Sequence, residues 1–134
     1  MRVILADVNA QSQAQRLASL MQAEWPEFWD DLELVVRTFG DVGLPLDASD
    51  LEVWQLCQAE DFVLLTDNRN HDSPDSLEAT IRRLNTSDSL PVFTISDLER
   101  FGSDRDFSGL VVDRFYEFLL RLDELRGTGR LYLP

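Results

Sequence analysis

The chain has 134 residues, 44% of them hydrophobic, and a formal net charge of −13 from 25 acidic and 12 basic residues. That length suits a single domain, residues 1–134, with a core large enough to need no staples, and one cysteine leaves no internal disulfide framework and no Cys-rich zinc site. All the basic residues are arginine, which argues against a Walker phosphate loop, Schiff-base chemistry and the lysine that a two-component receiver uses near its last strand.

In chain order, Arg2 to Ala6 reads as a first strand ending at Asp7-Val8-Asn9. A helix follows from about Gln11 to Glu24, with Ala14, Leu17, Ala18, Met21 and Trp25 at helical spacing, and Pro26 stops it. Phe28 and Trp29 in the next segment are expected over the sheet edge or on a partner surface. Leu32 to Phe39 reads as a second strand and Gly40 to Leu46 as a loop. Ser49 and Glu52 have capping-box spacing, which opens a helix with Leu51, Trp54 and Cys57 on its apolar face up to about Glu60.

Phe62 to Leu65 is an unbroken apolar run, expected of a central parallel strand covered on both faces. It ends in Thr66-Asp67-Asn68-Arg69-Asn70. Ser73-Pro74-Asp75-Ser76 reads as the start of a helix whose stripe is Leu77, Ile81 and Leu84. Leu90 to Ile95 is a fourth strand, Ser96 to Phe101 a helical turn, and the longest helix runs from Asp104 or Ser108 to Arg126, stopped by Gly127. Arg130 to Pro134 is a tail with the character of a short fifth strand. Strands alternating with helices imply a three-layer α/β/α domain with a mainly parallel sheet of four to five strands, the first strand lying between the second and the third.

Ligands of open α/β sheets bind outside the carboxyl ends of the strands. Asp7, Asn9, Asp67, Asn68 and Asn70 fall there, with Asp47 and Asp50 at the start of the following helix. This oxygen-rich set suits a hard cation such as Mg²⁺, held by one or two carboxylates plus water. Arg69, Arg82 and Arg83 are candidates to hold phosphate. The same Asp and Asn residues also suit plain turns, and Asp50 a helix N-terminus. His71, the only histidine, reads as a loop residue, and Cys57 as a small buried hydrophobe.

The order Asp7-Val8-Asn9, Gly43-Leu44, Ser49-Asp50-Leu51-Glu52 and Leu65-Thr66-Asp67-Asn68-Arg69-Asn70 resembles short prokaryotic PIN-like proteins, which are often associated with toxin–antitoxin loci. The resemblance is specific over the first half of the chain and rests on pattern in the second. It implies a PIN-like endoribonuclease, a metal-dependent hydrolase that uses Mg²⁺ or Mn²⁺. Asp7 and Asp50 match the first two acidic positions. The third departs from the family pattern, with Asn68 and Asn70 where carboxylates stand and an Asp at position 67. On this reading Asp7, Asp50 and Asp67 are catalytic and bind metal with Asn68, while Asn9, Thr66, Arg69 and Asn70 lie toward substrate. The alternative is a PIN-like binding or regulatory module that works through protein–protein contacts.

The expected partners are RNA and either a cognate antitoxin or further copies of the chain. A charge of −13 disfavours duplex DNA, where neutralised phosphates supply most of the affinity. No secretory pattern follows Arg2, and no run approaches the ~20 apolar residues of a membrane span. A cytoplasmic location is the expectation.

Overall fold

The structure is a computed structural model and describes residues 1–67 and 76–134. Five strands form one all-parallel sheet: β1 (Arg2–Ala6), β2 (Leu34–Arg37), β3 (Val63–Thr66), β4 (Val92–Ile95) and β5 (Arg130–Leu133), in the order β2-β1-β3-β4-β5. β1 therefore lies between β2 and β3, as its apolar sequence requires. Ile4 pairs with Val36 on one side and with Val63 on the other. The tail from Arg130 is a full edge strand, with Val92 opposite Arg130 and Ile95 opposite Leu133.

Among the described residues, six α-helices join these strands: α1 (Gln11–Glu24), α2 (Pro26–Asp31), α3 (Asp50–Glu60), α4 (Leu77–Leu84), α5 (Leu98–Ser103) and α6 (Arg105–Leu120). Parallel neighbours need crossovers, so each crossover helix carries the chain back from the carboxyl edge of the sheet to its amino edge. α1 and α6 cover one face. There Ala14, Leu17 and Met21 meet Val111, Val112 and Phe115 over Ile4, Leu65 and Phe93. α3 and α4 cover the other, where Val53, Trp54, Cys57, Leu77 and Ile81 pack on Leu5, Leu64 and Val92. The alternation of side chains along each strand divides these two sets. The result is a three-layer α/β/α domain.

Local chemistry explains most element boundaries. Ser49 caps α3 by accepting the Glu52 N–H at 3.1 Å, and its own hydroxyl reaches the Glu52 carboxylate at 3.2 Å. Asp97 and Asp104 accept the N–H groups of Arg100 and Phe107 at the starts of α5 and α6. Gly127 adopts φ +90°, and a Cβ there would come within 3.2 Å of the Ser87 backbone, so the turn into β5 requires glycine.

Several expectations are corrected. The second strand is Leu34–Arg37, shorter than Leu32–Phe39, because Leu32 and Glu33 turn instead, Glu33 with φ +50°. α3 buries Val53, Trp54 and Cys57, while Leu51 in the first turn stays partly exposed. α4 is capped by Ser76, which accepts the Ala79 N–H at 3.1 Å. It buries Leu77, Thr80 and Ile81, with Leu84 only partly covered. Ser73, Pro74 and Asp75, expected at that helix start, lie outside the described residues. The last α-helix stops at Leu120, and Leu122–Leu125 continue as a 3-10 turn.

The amino edge is tied by one residue. Asp61, left-handed at φ +60°, ends α3. Its carbonyl and carboxylate accept the Arg2 guanidinium at 2.8 and 3.0 Å, and the carboxylate also meets Arg126 at 3.4 Å.

Candidate functional site

The strand order sets where the chain can form a crevice. From β1 the chain moves out to β2, and from β3 it moves the opposite way to β4. The carboxyl ends of β1 and β3 are therefore the switch point, the place at which doubly wound sheets bind ligands. Asp7 follows β1 and Asp67 follows β3 at this point.

Asp7 holds the cap position of the 3-10 turn Val8–Ala10, but its side chain makes no capping hydrogen bond. Instead, Asp7 Oδ2 accepts the Thr66 hydroxyl at 2.6 Å, across 59 residues of sequence. The Asp7 N–H donates to the Leu65 carbonyl at 2.9 Å, which extends the ladder and fixes the backbone next to β3. Thr66 is fully buried, so it orients Asp7. Asp67 is partly exposed, and its carboxyl is pushed above the ordinary carboxylate value, first by burial and further by the negative charge of Asp7. Asp7 also acts on Cys57. Burial first, then the Asp7 charge, push that thiol up to about 12, and Cys57 behaves as the buried hydrophobe that its helical phase suggests.

Asp50 is the first residue of α3, where its charge favours the helix N-terminus, but Ser49 makes the cap. Asn9 is exposed in the turn after β1, and Asp47 is exposed before α3. Asn68, Arg69, Asn70 and His71 lie outside the described residues. Among the described residues, no three His, Cys, Asp or Glu groups come together as a metal site. Asp7 and Asp67 influence each other electrostatically at the switch point, and among the described residues no third carboxylate joins them in a metal-site cluster.

Arg82 and Arg83 are exposed in the last turn of α4. That turn has returned to the amino edge, away from Asp7, and Arg82 pairs with Glu78 at 3.5 Å.

A further row of polar groups is visible only in three dimensions. Thr66 and Thr94 are register partners on β3 and β4, both fully buried. They lie two residues beyond Leu64 and Val92 and so share the face under α3 and α4. Arg130 on β5 reaches into this row. Its side chain is 6% exposed and donates to Glu78 Oε2 at 3.1 Å and to Thr94 Oγ1 at 2.6 Å. Sequence reasoning missed Thr94, Glu78 and Arg130. The available signal was a hydroxyl residue inside each of two otherwise apolar strands. No family model, curated protein or solved structure matches this chain.

Proposed function

We propose that this domain is a PIN-like ribonuclease in which Asp7 and Asp67 hold Mg²⁺ or Mn²⁺ against an RNA phosphodiester. The observation that carries this reading is the side chain of Asp7. It leaves the turn that it could cap and is held by Thr66 at the end of β3. A plain turn residue would bond its own loop. The donors are hard oxygens, and two carboxylates with water suffice for Mg²⁺. A cation held there supplies polarisation of a phosphoryl oxygen and an acidified water.

The chain's own groups have distinct tasks in this reading. Thr66 fixes one oxygen of Asp7 and leaves the other, Oδ1, without a hydrogen bond from the described residues. Asp67 carries a carboxyl whose ionisation is disfavoured, so a cation or a proton there relieves its repulsion with Asp7. Asp50 stays outside this pair, and the resemblance assigns Asn68 to the cation and Asn9, Arg69 and Asn70 to the substrate. A toxin–antitoxin setting is part of the same proposal.

A second reading is a PIN-like regulatory module that has lost the chemistry. It is favoured by the absence of a third converging acidic group among the described residues and by the charge of −13. Mn²⁺ titration with isotope-edited NMR, run alongside cleavage of single-stranded RNA, separates the two. Asp7→Asn keeps an acceptor for Thr66 and should retain the fold while weakening Mn²⁺ binding about tenfold or more, roughly 1.4 kcal/mol. Asn68→Asp should tighten it. Mn²⁺ binding without cleavage in both proteins supports the regulatory module. If Mn²⁺ leaves the resonances of Asp7 and Asp67 unmoved, the cation site itself is wrong.

A further inference from the structure

The end of the molecule opposite Asp7 carries an apolar hollow. α1 ends at Glu24, the backbone turns at Trp25, and Pro26 starts the short helix α2, which buries none of its residues fully. The Phe28 ring sits 5.6 Å from Tyr116 and 5.7 Å from Trp25. Leu120, 55% exposed, follows Tyr116 by one turn of α6. Together with Asp113 and Glu117 these side chains line a hollow of about 270 Å³. Leu120 also lines an adjoining cleft of about 440 Å³ that reaches Met1 and Leu32.

Trp25 is 41% exposed yet fixed. Its indole N–H donates to Asp113 Oδ1 at 3.1 Å, and its carbonyl accepts the Tyr116 hydroxyl at 3.1 Å. A large aromatic held in place with one face in water has already lost its rotamer freedom, which is the condition of a binding anchor.

The rim is acidic. Glu24, Glu27 and Asp30 surround Tyr116 closely enough that, after burial, their charges are the causes that push its phenol up to about 12. None of the three makes an ion pair among the described residues, whereas Glu117 is matched by Arg114 and Arg121 at 3.5 and 3.6 Å. Asp113 adds a fourth acidic group, which accepts the neutral indole N–H.

That charge decides the occupant. A second copy docked about a two-fold axis would set this acidic rim against itself, in a chain that already carries −13. An anionic membrane surface would be repelled in the same way. We propose that the hollow between α2 and the last turns of α6 is a docking site for a helical segment of a partner protein, one that carries apolar anchors flanked by Lys or Arg. The apolar anchors fill the hollow and the cations face Glu24, Glu27 and Asp30, a helix-in-groove contact with electrostatic complementarity at its edge. The site lies at the amino edge of the sheet, so an occupant leaves Asp7 and Asp67 uncovered. It stands whether or not those residues serve RNA cleavage.

The probes are an amphipathic Leu/Lys peptide and its Leu/Glu counterpart, titrated into the isotope-labelled protein. The Leu/Lys peptide should bind with the largest shifts at the Trp25 indole and along the end of α6, and the Leu/Glu peptide at least tenfold more weakly. Glu27→Lys with Asp30→Lys, both exposed positions, should weaken the Leu/Lys peptide about tenfold. The same charge change at exposed Glu99 and Asp106 is the control and should leave affinity nearly unchanged. Trp25→Ala should weaken binding by a similar factor. Shifts spread over the whole acidic surface, equal losses from the two charge reversals, or a concentration-dependent dimer of the chain alone at this face would each overturn the proposal.

Discussion

The two faces of the sheet are built differently. Under α1 and α6, Phe93, Phe101 and Phe115 are fully buried beside Met21 and Leu65, and Phe93 meets Phe115 at a ring distance of 5.1 Å. Under α3 and α4 the apolar layer of Leu5, Leu64 and Val92 gives way, two residues further along the strands, to Asp7, Thr66 and Thr94. Arg130 and Glu78 join that row from β5 and α4. One face uses its whole depth for packing. The other gives up its upper layer to polar groups that can stay buried only because each finds a partner. The row of Asp7, Thr66 and Thr94 thus lies on one face and the aromatic core on the other, and the faces should respond to different perturbations.

The largest effect is expected on the apolar face. Phe115→Ala removes a fully buried ring and should cost about 4 kcal/mol of stability, read by urea unfolding, with any Mn²⁺ affinity unchanged in the protein that remains folded. A loss below 1 kcal/mol would mean that this core is loosely packed. The polar face should respond somewhat less. Arg130→Met leaves Glu78 and Thr94 without their guanidinium and should cost on the order of 3 kcal/mol. Arg130→Met with Glu78→Leu should recover much of it, because two apolar groups replace a buried pair. Failure of that recovery would show that the loss lies beyond the pair with Glu78, as at Thr94. The smallest effect is at Cys57. With its thiol pushed up to about 12, the folded protein should resist alkylation at pH 8 and react only once unfolded. Rapid alkylation of the native protein would show that the helix pair over this face opens readily.

What the sequence revealed follows from which interactions are local. The apolar runs at Val3–Leu5 and Val63–Leu65 identify interior strands because only a strand covered on both faces can be apolar at every position. Ser49 and Glu52 mark a helix start because a cap needs no partner outside its own turn. Asp7 and Asp67 stand at neighbouring carboxyl ends because each follows such a strand. Leu51 departs from the apolar phase expected of α3, being only partly buried in its first turn. The extent of α6 was overread because Leu122 and Leu125 keep a helical apolar spacing inside a tighter 3-10 turn. Arg130, Thr94 and Glu78 were not legible at all. They meet through the register of β4 with β5 and the docking of α4, across 36 and 52 residues, and no short window carries that information.

The clasp at Asp61 has a consequence for the lifetime of the fold. It joins positions 2, 61 and 126, across four strand–helix units, so its ion pairs should close late. Contacts made that late are absent from the barrier to folding and act on the rate of escape from the native state. Salt, which screens such half-exposed pairs, should therefore hasten unfolding more than it slows refolding. The amino edge of the sheet then works as a latch, which does little to help the chain find its structure and more to delay its leaving it.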